Sequence, residues 1–99
     1  MRIISIRKLR DFWNNSNYNN SEQQLKAWYA EAKKANWKKP SDIKHQYKNA
    51  SFLANNRVVF NIKGNDYRLV VAIKYEFQIV YIRFIGTHKQ YDKIIAEEI

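Results

Sequence analysis

Apolar positions recur along this chain with two different periods. From residue 6 they come three or four apart: Ile6, Leu9, Phe12 and Trp13, with Arg7, Lys8, Arg10 and Asp11 on the intervening positions. That spacing predicts a helix with one buried stripe. Leu25, Trp28, Tyr29 and Ala32 repeat it, with Lys26, Lys33 and Lys34 off the stripe. Ser21 and Gln24 have the spacing of a capping box, so Ser21 is expected to open this second helix. Its aromatic stripe is expected to be core packed against a sheet. Residues 37–40 end the helix, because the residue before Pro40 is pushed toward extended backbone. Ser41 is then expected to cap a short helix through Asp42, Ile43, Lys44 and Tyr47.

From residue 57 the period changes to two. Residues 57–62, 67–73 and 79–85 are rich in β-branched and aromatic side chains and predict three strands. Gly64 and Asn65 in the first gap tolerate positive φ and predict a hairpin turn. In the middle strand Leu69, Val71, Ile73 and Tyr75 share one face, while Arg68, Val70, Ala72 and Lys74 share the other. In the last, Val80, Ile82 and Phe84 oppose Tyr81 and Arg83. Residues 2–5 suit a short edge strand, residues 14–20 a polar loop, and residues 49–56 a linker. Past Gly86, Thr87 and Gln90 again have capping-box spacing and predict a short final helix, with Ile94 and Ile95 anchoring it to the core. These elements make an α+β fold: a small antiparallel sheet with helices packed on one face and a short C-terminal helix. Residues 1–99 carry no internal repeat or linker composition and are expected to form one domain.

Charge changes this picture most. Lys and Arg number 18 and Asp and Glu 9, for a formal net charge of +9. Such an excess favours polyanions, of which nucleic acid is the commonest. A basic surface serving solubility alone is the plainer alternative. The chain has no cysteine, which removes disulfides and thiolate metal sites. It shows no secretory signal and no apolar run of membrane-spanning length, so a soluble cytoplasmic protein is expected. No cofactor fingerprint is present, and His45 and His88 lack the carboxylate spacing of a metal site.

The candidate chemistry lies at the end of the last strand. His88, Tyr91 and Asp92 stand at i, i+3 and i+4 and share one side of a helical turn. Imidazole titrates near neutrality, a phenol can give or take a proton, and Asp92 can orient His88. Arg68 and Arg83 can fork onto phosphate oxygens, and the start of the last helix offers free N–H groups to an anion. Together these suit cleavage of RNA by its own 2′-hydroxyl without a metal. Taken singly, each has a plainer reading: His88 as a capping or surface residue, the arginines as strand-face ion-pair partners, and Tyr91 as a core aromatic.

Two runs go further. Residues 59–70 (VFNIKGNDYRLV) and residues 82–94 (IRFIGTHKQYDKI) resemble the HigB toxin family, and AWY at 27–29 and WKKPSDIK at 37–44 extend the likeness over nearly the whole chain in order. The resemblance implies an mRNA interferase of a type II toxin–antitoxin system with a RelE-like fold. It implies cleavage of mRNA in the ribosomal A site, and neutralisation by a HigA-like antitoxin with a helix-turn-helix. It directs attention to Arg68, Arg83, His88 and Tyr91 as catalytic residues. Asn65 and Asp92 are expected to support them, and Lys33, Lys34, Lys89 and Lys93 to hold RNA. A non-catalytic basic RNA-binding module remains the alternative. It would need cations and stacking aromatics but no proton-transfer pair.

Overall fold

The computed structural model describes all 99 residues. Nine principal elements follow in order: β1 (Arg2–Ile4), α1 (Arg7–Trp13), α2 (Glu22–Lys34), α3 (Pro40–Gln46), β2 (Ser51–Leu53), β3 (Arg57–Ile62), β4 (Tyr67–Lys74), β5 (Ile79–Thr87) and α4 (His88–Tyr91). The strands form one five-stranded sheet in the order β1-β5-β4-β3-β2. Four of them are antiparallel neighbours, as expected of consecutive hairpins. The exception is β1, which runs parallel to the first half of β5 and makes the sheet mixed. It reaches that edge because α1 and α2 cross one face of the sheet between β1 and β2.

Leu9, Trp13, Leu25, Trp28, Ala32 and Ile43 from the helices bury against Val58, Phe60, Leu69, Val71, Val80 and Ile82 from the strands. The aromatic stripe of α2 is therefore core: the Trp28 ring meets Phe60 edge-on, with centroids 5.4 Å apart. Truncating such a side chain costs about 3–5 kcal/mol, which makes this layer the main source of stability.

Several local details differ from the sequence-based expectation. Ser21 does not cap α2; its hydroxyl donates to the Tyr18 carbonyl at 2.7 Å and closes a preceding 3₁₀ turn. At α3, Pro40 takes the first helical position, where its missing N–H costs nothing, and the Asp42 carboxylate accepts from the Lys38 N–H at 2.9 Å. In the β3–β4 turn, the left-handed residues are Lys63 and Gly64, with φ of 52° and 65°, rather than Asn65. The expected linker at 49–56 contains β2. Asn55 and Asn56, both left-handed, turn it into β3. Asparagine tolerates that backbone, so the Asn-Asn pair was a hairpin signal in its own right.

The largest difference is a β-bulge. Val70 pairs with Phe84 while Val71 pairs with Ile82, so Arg83 is an extra residue with no partner on β4. The alternation of β5 shifts by one at that point. Phe84, expected beside Val80 and Ile82, instead packs with Val59, Val70 and Ala96 on the opposite face. Ile85 joins the helical side. The residues after α4 cross the same opposite face, where Tyr91, Ile94 and Ile99 surround that small cluster. Ala96 provides the anchor expected of Ile95, which is 60% exposed.

One stability prediction arises here. The Tyr47 hydroxyl donates to the Glu31 carboxylate. Burial first, then that bond and the charge of Glu31, raise the phenol far above its ordinary value of 10.0. The folded state thus holds Tyr47 neutral where the unfolded chain would release its proton. The stabilisation is complete below pH 10.0 and declines above it, since only the unfolded chain ionises there. Thermal melts should show a steeper alkaline loss for the natural protein than for Tyr47→Phe. Parallel curves above pH 10.0 would contradict this.

Candidate functional site

Arg68, His88 and Tyr91 lie where β4 begins, β5 ends and α4 follows. Arg68 lies directly across from Gly86 in the β4–β5 ladder. It faces away from the helices, sharing its side of β4 with Val70. Its Nη1 donates to the main-chain carbonyls of Asn65 at 3.0 Å and Tyr67 at 3.3 Å. The β3–β4 turn thus holds one edge of the guanidinium and leaves the rest free to fork onto an anion. Asn65 contributes through its backbone, and its side chain is uncommitted.

Gly86 is required by close approach. A Cβ there would sit 2.5 Å from the Phe84 ring and 2.7 Å from Gln90 Oε1. The Phe84 ring lies over the glycine and stacks on Tyr91, with centroids 6.5 Å apart and planes 8° from parallel. The bulge at Arg83 therefore turns Phe84 toward this face, and Phe84 holds Tyr91 half-buried against it.

Thr87 caps α4 as the spacing predicted. The Gln90 N–H donates to Thr87 Oγ1 at 3.1 Å, and the Thr87 N–H donates to Gln90 Oε1 at 2.8 Å. The box uses two N–H groups that had been expected to face a phosphate. With one turn in α4, the dipole there is also small. Anion binding at this corner therefore falls to side chains.

His88 opens α4, exposed, with Nδ1 3.1 Å from Asp92 Oδ2. The contact turns Nδ1 toward the carboxylate and leaves Nε2 directed away from it. The i, i+4 expectation for this pair is realised as direct contact. Lys89 and Lys93 are exposed beside them. No hydrogen bond joins the side chains of Arg68, Arg83, His88 and Tyr91 to one another.

Arg83 stands apart from the other three. As the bulged residue it projects from β5, and its guanidinium lies 5.5 Å from the centroid of the Tyr81 ring. Lys33 and Lys34 lie on α2, across the sheet from Arg68 and Tyr91, and Lys33 covers the Tyr29 ring at 5.2 Å. Those two lysines and the α4 corner therefore do not share a face. Sequence reasoning did not single out Phe84 or Gly86 as positioning residues. Their i, i+2 spacing on one strand was the available signal.

A basic, arginine-bearing sheet face, backed by helices and closed by a one-turn helix carrying His88 and Tyr91, defines a small α+β protein built to meet a polyanion. The model for the RelE-like toxic component of a toxin–antitoxin system matches residues 21–94. The chain belongs to that family, the HigB toxins. It is 33% identical to the mRNA interferase toxin HigB of Escherichia coli K12 over 97% of its own length and 92% of that protein's. The mRNA interferases HigB of E. coli O157:H7 and Shigella flexneri match with the same identity and coverage.

Proposed function

We propose that this protein, acting as one domain, cleaves mRNA as the toxin of a toxin–antitoxin pair and acts on message held in the ribosome. Family membership supports the activity, and the His88–Asp92 contact beside Arg68 and Tyr91 supports the mechanism. In that mechanism His88 Nε2 takes the proton of the 2′-hydroxyl, and the 2′-oxygen attacks the adjacent phosphorus. Arg68 offsets the charge that builds on the phosphorane oxygens, while Arg83, expected from the sequence to share that task, lies apart from this corner against Tyr81 and serves the RNA chain beyond the scissile phosphate. Tyr91 gives a proton to the departing 5′-oxygen. The products are a 2′,3′-cyclic phosphate and a 5′-hydroxyl, and the chemistry needs no cofactor. Asn65, Lys89, Asp92 and Lys93 bind or orient the substrate at this corner. Lys33 and Lys34, on the helical face, suit the surrounding ribosomal RNA. A HigA-like antitoxin with a helix-turn-helix would neutralise the toxin in the cytoplasm.

The observation that separates this reading from a non-catalytic RNA binder is the oriented imidazole. A binder needs cations and aromatic faces but gains nothing from an imidazole set against a carboxylate. Induced expression with mapping of mRNA 5′ ends tests it. New ends carrying a 5′-hydroxyl, dependent on ribosome binding and suppressed by the co-expressed antitoxin, are expected. Stable mRNA under growth arrest would favour the binder.

A further inference from the structure

We propose that the notch between Tyr81 and Arg57 is a nucleobase subsite, which takes one unpaired base of a single-stranded RNA outside the scissile phosphate. The inference rests on RNA being the substrate, and it extends the binding face to the far end of the same side of the sheet.

The notch follows from one short side chain. Arg57, Ala72 and Tyr81 form a row across β3, β4 and β5, facing away from the helices. Ala72 is the floor, and its methyl group leaves a gap between the two larger neighbours. The cavity is about 390 Å³. Tyr81 is half-buried and forms one wall, while Lys74, Arg83, Asn55 and Asn56 stand at the rim, all exposed.

The chemistry of this lining is that of a nucleotide site. Arg83 lies against the Tyr81 ring and makes no ion pair or hydrogen bond with the rest of the chain, so its forked donors are free. Lys74 likewise has no acidic partner. Arg57 is already engaged: its Nε donates to the Ile99 carbonyl at 2.9 Å and its Nη1 to the Asn55 carbonyl at 2.8 Å, which makes it a fixed wall. No Asp or Glu lines the cavity. An aromatic ring with a neighbouring guanidinium, free cations and side-chain amides can take a base by its face, its phosphates by charge and its edge by hydrogen bonds. An acidic protein segment would use the cations but leave the aromatic face and the amides without a role, so RNA is the occupant that uses every group.

The test is direct binding of a labelled, 2′-O-methylated octaadenylate, which cannot be cut by its own 2′-oxygen, to the full chain. Tyr81→Ala is expected to weaken binding by roughly tenfold, the scale of one lost base stack, and Tyr81→Phe to restore it. An abasic strand of equal length is expected to bind Tyr81→Ala and the natural protein alike. Equal losses on the abasic strand, or no loss on the base-bearing one, would overturn the subsite. Competition by octaglutamate that Tyr81→Ala weakens as strongly would also overturn it, in favour of a protein-binding site. Lys74→Glu, a surface change that leaves the core intact, gives an independent arm. It should weaken RNA binding more than Lys48→Glu on the helical side, and equal effects would again overturn the proposal. Because this assay involves no cleavage, its outcome is separable from the enzymatic reading. Base-dependent binding without new mRNA ends would retain the subsite and remove the nuclease.

Discussion

His88→Ala should slow single-turnover cleavage of ribosome-bound mRNA by about 10²–10⁴-fold, the usual range for a lost proton-transfer group. His88 is exposed, the side-chain bonds that cap α4 belong to Thr87 and Gln90, and the one helical bond His88 accepts is to its backbone carbonyl, so the variant should keep its fold and its antitoxin. Asp92→Asn should do less. The amide keeps the shape beside the imidazole and removes only the neighbouring charge. Tyr91→Phe keeps the stack on Phe84 and removes only the hydroxyl, which isolates its proton from its packing. The diagnostic comparison is a folded His88→Ala protein, checked by circular dichroism, in the same assay as the natural one. Wild-type cleavage by that variant would rule out His88 as the base.

Arg68→Ala should cost about 10²–10³-fold in the same assay, the typical worth of one electrostatic group aimed at developing charge. Arg68→Lys should recover only part of that rate, because an ammonium cannot fork onto two phosphate oxygens. Arg68 also ties down the β3–β4 turn through the Asn65 and Tyr67 carbonyls, so a loss of rate alone would be ambiguous. Asn65→Ala resolves it, since the carbonyl that holds Arg68 belongs to the backbone and survives the substitution. A small effect from Asn65→Ala beside a large one from Arg68→Ala assigns the loss to the guanidinium. Equal effects would move the substrate contact to the Asn65 amide.

Much of the architecture was legible along the chain because it depends on local periodicity. The three- and four-residue spacing of Leu9, Phe12 and Trp13, and of Leu25, Trp28 and Ala32, specified helices with one buried side, and those side chains are buried. The alternation from Leu69 to Ile73 specified a strand, and the Thr87–Gln90 spacing a capped turn. The Gly64 turn and the contact of His88 with Asp92 are likewise short-range matters of backbone tolerance and i, i+4 reach, whereas the short helix expected to open after Ser41 opens at Pro40 instead.

Non-local pairing decided the rest. The parallel addition of β1 to β5 depends on where α1 and α2 leave the chain, which no pattern within residues 2–4 records. The short β2 forms because Arg57 and Val58 offer it an edge. The bulge at Arg83 has the largest consequence for function. Strict alternation puts Phe84 on the helical side with Ile82. The register against Val70 and Val71 instead inserts Arg83, sends Phe84 to the other face, and sets its ring over Gly86 and against Tyr91. A side-chain period of two holds only while the ladder is continuous, and one unpaired residue inverts every face beyond it. The residue types for this chemistry were thus written in the sequence. Arg83 leaning on Tyr81, and Tyr91 held by Phe84, were set by the pairing of β4 with β5.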